Sequence, residues 1–166
     1  LSVADRYRGN NNFEYDLVDV VRQTVANKGY YLQRDVASAF QGKKVDEFKV
    51  LNQQFLDLIL AQDKLLQTRT EFMLGTWTNK ARSLGNNDSE KNLYEWNART
   101  QITVWGNRAS AGGLHNYAYK EWSGLLKDVD YPRWKSDFEY LDKELKGESP
   151  EHIDFFGMDE KWNREN

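Results

Sequence analysis

Apolar residues recur along the chain at steps of three, four and seven, the period of an amphipathic helix. Phe13, Leu17, Val20, Val21, Val25, Leu32, Val36 and Phe40 trace one face of a long first helix. Gly29 interrupts that stripe and is a kink candidate, and Gly42-Lys43-Lys44 ends it. Asp46 is placed to cap a second helix, whose inward face reads Phe48, Leu51, Phe55, Leu58 and Leu65. A third segment, over about 70–84, presents Leu74, Trp77, Ala81 and Leu84, and Gly85-Asn86-Asn87 closes it. Asn87 with Glu90 three residues on has the form of a capping box. A fourth helix is therefore expected to start there, run to Trp105 and stop at Gly106.

Residues 107–113 are rich in glycine and small side chains and read as a loop. A fifth helix is expected over about 116–128. Pro132 suits the first turn of a sixth, whose face shows Trp134, Phe138, Leu141 and Leu145. After Gly147 the period fades into an acidic stretch carrying Phe155, Phe156 and Trp162, which reads equally as a docked or a mobile tail. No convincing period-two run, internal repeat or low-complexity tract interrupts this. The pattern predicts an all-α fold, an antiparallel bundle of about five to six helices with short loops. Residues 1–146 form the bundle and 147–166 an acidic C-terminal tail.

Composition narrows the chemistry. The 166 residues carry a net charge of −3, with no basic stripe, so a nucleic-acid partner is not expected. No apolar run is long enough to span a bilayer, and no basic start followed by an apolar stretch is present. Cysteine is absent, which removes disulfides, thiolate zinc sites and thiol nucleophiles. The first residue is Leu1 and not Met, as expected of a segment cut from a longer polypeptide. Six Trp, nine Tyr and eight Phe imply either a well-filled core or a surface that meets something flat.

No self-contained active site is visible. His115 and His152 lie far apart in sequence without metal-binding spacing, so neither a metal nor a cofactor is expected. Nucleophile-elbow, phosphate-loop and dinucleotide signatures are missing. The pointed stretch runs from Leu93 to Tyr117. Asn97, Gln101 and Trp105 are spaced by four and would share one helix face, with Tyr117 across the loop. An indole, two amides and a phenol suit a sugar: flat rings cover pyranose C–H faces, while amides and phenols orient hydroxyls. The same residues also suit a plain bundle, where a helix tryptophan is usually core, with Trp105 and Tyr117 in the core and Asn97 and Gln101 bonded to neighbouring helices.

Several short pieces in fixed order carry a family resemblance. They are Tyr15-Asp16-Leu17-Val18-Asp19-Val20-Val21-Arg22-Gln23, Phe72-Met73-Leu74-Gly75-Thr76-Trp77, Asn97-Ala98-Arg99-Thr100-Gln101-Ile102-Thr103-Val104-Trp105-Gly106, Tyr117-Ala118-Tyr119-Lys120 and Pro132-Arg133-Trp134. Together they resemble the C-terminal helical domain of family 89 glycoside hydrolases, the α-N-acetylglucosaminidases. The resemblance implies a (β/α)8 barrel elsewhere in the full-length chain, bearing two catalytic glutamates. It further implies retaining cleavage of terminal α-linked N-acetylglucosamine in a pocket between barrel and helical domain. Trp105 and Tyr117 match pocket-wall residues, Leu114 falls about where a small apolar wall residue is expected, and Asn97 and Gln101 would support them. Family members often have a proline soon after Trp-Gly and a shorter loop before an Asp-Tyr pair. Here Asn107 follows Gly106, the loop is longer, and Asn116 precedes Tyr117.

The implied barrel would need about 250 residues, so no catalytic carboxylate is expected within this chain, which alone would be inactive. By the same analogy the setting is secreted, periplasmic or lysosomal. The alternative is a stand-alone helical carbohydrate-binding or interaction module.

Overall fold

The computed structural model describes residues 4–111, 113 and 116–165. Two long helices form its spine, α1 (Asn11–Gln41) and α2 (Val45–Leu66). Asn10 starts α1 by accepting the Phe13 N–H at 3.1 Å, one of the orphan donors at a helix start. The helix runs unbroken through Gly29. A Cβ built there would lie 3.7 Å from Leu58 Cδ2, an ordinary contact. Val20, read as part of the inward stripe, is mostly exposed. Lys43, at φ +54, makes the tight turn into α2. The N-cap of α2 is Lys44 and not Asp46. Asp46 sits in the first turn, where its charge complements the helix dipole.

The turn between them makes α1 and α2 antiparallel, and α6 (Tyr131–Leu145) packs against α2. Leu32, Val36 and Ala39 from α1, Phe48, Phe55 and Leu56 from α2, and Phe138 from α6 form the main core. Its aromatic members meet edge to face: Phe138 lies 6.3 Å from Phe48 and 5.7 Å from Phe55, the arrangement ring quadrupoles favour. Truncating the fully buried Phe48 to alanine would cost about 3–5 kcal/mol.

A second core, with Val18, Leu66, Phe72 and Leu126, continues the bundle, and Trp122 links it to a third built from Leu74, Ile102, Leu125 and Val129. This third core joins α3 (Leu74–Arg82) and α4 (Asp88–Ile102) to the rest. The Asn87 box forms with a shift: Asn87 Oδ1 accepts from the Glu90 N–H, while the Glu90 carboxylate reaches back to the Asn86 N–H.

Two expectations of helix extent are corrected. The fourth helix ends at Ile102, not at Trp105. No fifth helix covers 116–128: residues 116–122 form a turn and an extended strap, and Ser123 bridges to Met73. The buried Asp63 of α2 accepts from the backbone N–H of Gly124 at 2.7 Å and of Lys127 at 3.2 Å, so it caps the start of the next helix from outside. That helix opens as a π-helical turn, Leu126–Asp130, and runs straight into α6. Pro132 has no N–H to give to a normal α-turn there, a known cause of such a widening.

The acidic stretch contains a further helix, α7 (Phe155–Glu165), packed against α4 with Phe156, Asp159 and Asn163 buried. With the single turn α5 (Arg108–Ala111), seven α-helices and no strand are seen among the described residues.

Candidate functional site

The chain end of α4 is irregular for a physical reason. Thr103 leaves helical geometry at φ −123 and ψ −96. Its hydroxyl is fully buried, donating to the Arg99 carbonyl at 2.9 Å and accepting from Asn163 Nδ2 of α7 at 2.8 Å. The Trp105 N–H then folds back to the Thr100 carbonyl at 2.7 Å, with Trp105 at φ +66. That left-handed region normally belongs to glycine or asparagine. A bulky residue held there costs of order 1–3 kcal/mol, and such strain clusters at functional sites.

Asn116 is also left-handed, at φ +62, and is tied on two sides. Its N–H donates to the Thr103 carbonyl at 2.8 Å, and its side-chain oxygen accepts from Arg133 Nη1 of α6 at 2.9 Å. The same Arg133 nitrogen faces the buried Asp159 of α7 at 3.4 Å. Residues from α4, α6 and α7 thus fix the backbone on either side of the intervening loop.

The result is an aromatic corner. Trp105 and Tyr117 meet edge to face with centroids 5.3 Å apart, and they are 39% and 72% exposed. Neither ring is core. Leu114 and His115 lie outside the described residues.

Asn97 and Gln101 do not join this corner. Because α4 stops at Ile102, the spacing of four does not carry on to Trp105. Both amides instead line a groove of about 330 Å³ with Trp77, Leu84 and Tyr94. The Trp77 ring is anchored there, its indole N–H donating to the Ala98 carbonyl at 3.0 Å.

Several ionised groups are paired. Burial would lift the Glu95 carboxyl, but hydrogen bonds from Arg99 and Arg82 outweigh it and hold the group below its ordinary range. Arg108 grips Asp154 with two hydrogen bonds, which hold that carboxyl low, and lies over the Phe156 ring. Asp130 differs. Burial pushes it up to about 7, against the pull of Arg133 and with Asp159 and Glu121 adding to the rise. Burial also raises the Tyr119 hydroxyl, with Asp130 and Glu121 contributing.

No group of three or more metal-ligating side chains occurs among the described residues. Nor is any helix there long and apolar enough to cross a membrane.

Comparison with known proteins identifies the family. The family described as Alpha-N-acetylglucosaminidase (NAGLU) C-terminal domain matches residues 1–166, and the chain belongs to it. Human alpha-N-acetylglucosaminidase is 32% identical over 138 residues, covering 78% of this chain and 17% of the human protein. A family 89 glycoside hydrolase from Clostridium perfringens, solved in complex with PUGNAc, superposes with a TM-score of 0.93 at 34% identity. The match covers 99% of this chain and 19% of that one. A form of the same bacterium's enzyme with two glutamates exchanged for glutamine, solved with its substrate GlcNAc-alpha-1,4-galactose, matches equally well. The chain thus spans less than a fifth of the relatives it matches.

The sequence did not reveal Thr103, Asn116, Arg133 and Asn163 as the supports of the corner. The available signals were the Pro132-Arg133-Trp134 piece and the asparagine just before Tyr117, a residue type that tolerates left-handed geometry.

Proposed function

We propose that this domain supplies part of the wall of a pocket for terminal α-linked N-acetylglucosamine in a retaining α-N-acetylglucosaminidase. Trp105 covers a C–H face of the sugar, the Tyr117 phenol orients a hydroxyl or the N-acetyl group, and Leu114 adds an apolar contact. Both catalytic carboxylates belong to a (β/α)8 barrel outside residues 1–166. One attacks the anomeric carbon, and the other first donates and then abstracts a proton. The domain contributes by holding the sugar against them and is inactive alone.

One observation carries this reading: two solvent-accessible aromatic rings in edge-to-face contact, presented by a tryptophan held in a costly left-handed conformation. A bundle with no use for the corner would bury the rings or place glycine at the turn.

The test is Trp105→Ala in the complete enzyme. kcat/KM for a terminal α-N-acetylglucosaminide should fall roughly a hundred-fold while the thermal midpoint barely moves. Normal activity in the folded fraction, alongside a large loss of stability, would show the ring to be structural. Tyr117→Phe isolates the phenol. Wild-type kinetics there would mean the hydroxyl makes no important substrate contact.

A further inference from the structure

Asp130 ends the π-helical turn Leu126–Asp130, immediately before α6. Widened turns of this kind are frequent at functional sites. Its Oδ2 is buried and has no hydrogen-bond partner. A buried carboxylate oxygen in that state is costly unless it is protonated or paired. Burial accordingly lifts this carboxyl to about 7.

The cation able to pair with it is engaged elsewhere. Arg133 lies three residues on, a spacing that makes side chains neighbours on a helix. Both residues line one cleft of about 340 Å³. Arg133 Nη1 donates instead to Asn116 Oδ1 at 2.9 Å and faces Asp159 at 3.4 Å. The bond to Asn116 matters because Tyr117 follows it. The Tyr117 ring is mostly exposed, so beyond its contact with Trp105 its place depends on the backbone at Asn116. That backbone is left-handed and is tied to the Thr103 carbonyl and to Arg133. Asn116 is a neutral acceptor, whereas an ionised carboxylate binds a guanidinium about twice as strongly.

We propose that Asp130 is a positioning residue for Tyr117: protonated, it leaves Arg133 to Asn116 and the aromatic corner is held; ionised, it draws Arg133 across the cleft and releases the Asn116 side chain. The sugar wall is then complete on the acid side and loosens above neutrality. This rests on the reading that the corner holds the sugar. The other groups around Asp130 set the range of the exchange. Asp159 of α7 and Glu121 of the strap oppose its ionisation, while Arg133 favours it. Tyr119 of the strap has its own hydroxyl raised by burial. Asp137 lines the shared cleft, and Tyr30 of α1 lines the recess on the other side. The α2 residues lining that recess, Phe55 and Gln62 among them, are uncharged.

The test is the pH dependence of Asp130→Asn in the complete enzyme, since asparagine imitates the protonated carboxyl at every pH. Dividing its kcat/KM by that of wild type, each referred to the folded fraction, cancels the catalytic carboxylates common to both. The ratio should lie within about two-fold of unity at about pH 5.5 and rise to about ten-fold at about pH 8.5. Asn116→Asp should give the same rise, because an anionic acceptor keeps Arg133 and aspartate tolerates the left-handed region. Crystals of the complete wild-type enzyme at the two pH values should show Arg133 on Asn116 at the lower and on Asp130 at the higher. An Arg133 that keeps Asn116 at both overturns the proposal, whether or not the corner binds sugar. A flat ratio overturns it too where Trp105→Ala has lost turnover, and the functional reading then stands. Unchanged turnover in Trp105→Ala defeats that reading instead, and the position of Arg133 then decides the inference by itself.

Discussion

Trp105 separates two properties that usually travel together, because its ring and its backbone make opposite demands. The ring contacts Tyr117, while the φ of +66 is a conformation in which a Cβ is a liability. Alanine removes the ring and keeps the strain. Glycine removes both. Trp105→Gly should therefore be more stable than Trp105→Ala by about 1 kcal/mol, read from urea unfolding midpoints, while the two variants lose sugar turnover alike. Equal stability would mean the turn relaxes out of the left-handed region once the indole is gone. At Asp130 the sign of the pH effect follows from a carboxyl raised from its ordinary 3.8 to about 7. Between these values the folded chain holds a proton that the unfolded chain releases. Its contribution to stability is complete below the ordinary value and is lost as pH rises toward 7. Asp130→Asn should flatten this part of the stability profile of the 166-residue chain, and the difference from wild type isolates Asp130 from Glu95, which titrates with the opposite sign. Arg133, Asp159, Glu121 and Tyr119 surround the group, so their variants should move the same limb.

At the scale of elements, the sequence was most readable where one helix face is buried along its length. The stripes of α2 and α6 placed Phe48, Phe55 and Phe138 correctly in the core because each recurs at helical spacing against a polar background. Legibility failed where contacts from other elements override local period. A helix was expected over 116–128, but it begins only near Leu125, where Asp63 of α2 caps it and Gly124 turns at φ +92. α7 was hard to see because two of its three buried residues, Asp159 and Asn163, are polar and report no hydrophobic period. The end of α4 shows the same cause: the buried Thr103–Asn163 contact belongs to two helices far apart in sequence. Thr103→Val keeps the shape and removes the hydroxyl, leaving the Arg99 carbonyl and the Asn163 amide without that partner. It should cost about 1–3 kcal/mol and speed amide hydrogen exchange in α7. In the complete enzyme it should also lower kcat/KM, since the Thr103 hydroxyl fixes the turn whose backbone carbonyl holds the Asn116 N–H. Unchanged exchange in α7 would show that the helix is held by Phe156 and Trp162 packing alone.

The candidate site was partly legible in the sequence, and the rest belongs to the scale of the whole molecule. Trp105 and Tyr117 are singled out by the spacing from Asn97 and Gln101, by the loop beside them and by the family motifs, and the structure shows both rings exposed to solvent. The chain spans less than a fifth of the relatives it matches, and under the proposed function the pair works together with surfaces outside the 166 residues. The same reasoning covers the groove beside Trp77, where Leu84 is 73% exposed. A wall alone gives a sugar only part of its contacts, whereas tight sites bury most of a ligand's surface. The 166-residue chain should therefore bind N-acetylglucosamine more weakly than about 1 mM and release no product from an aryl α-N-acetylglucosaminide. Calorimetric titration and a chromogenic assay, run beside the complete enzyme, check both. Saturable binding that is much tighter, and that disappears in Trp105→Ala, would make the corner a complete sugar site in its own right. The domain would then deliver substrate to the barrel by itself, and the strain at Trp105 would serve binding before catalysis.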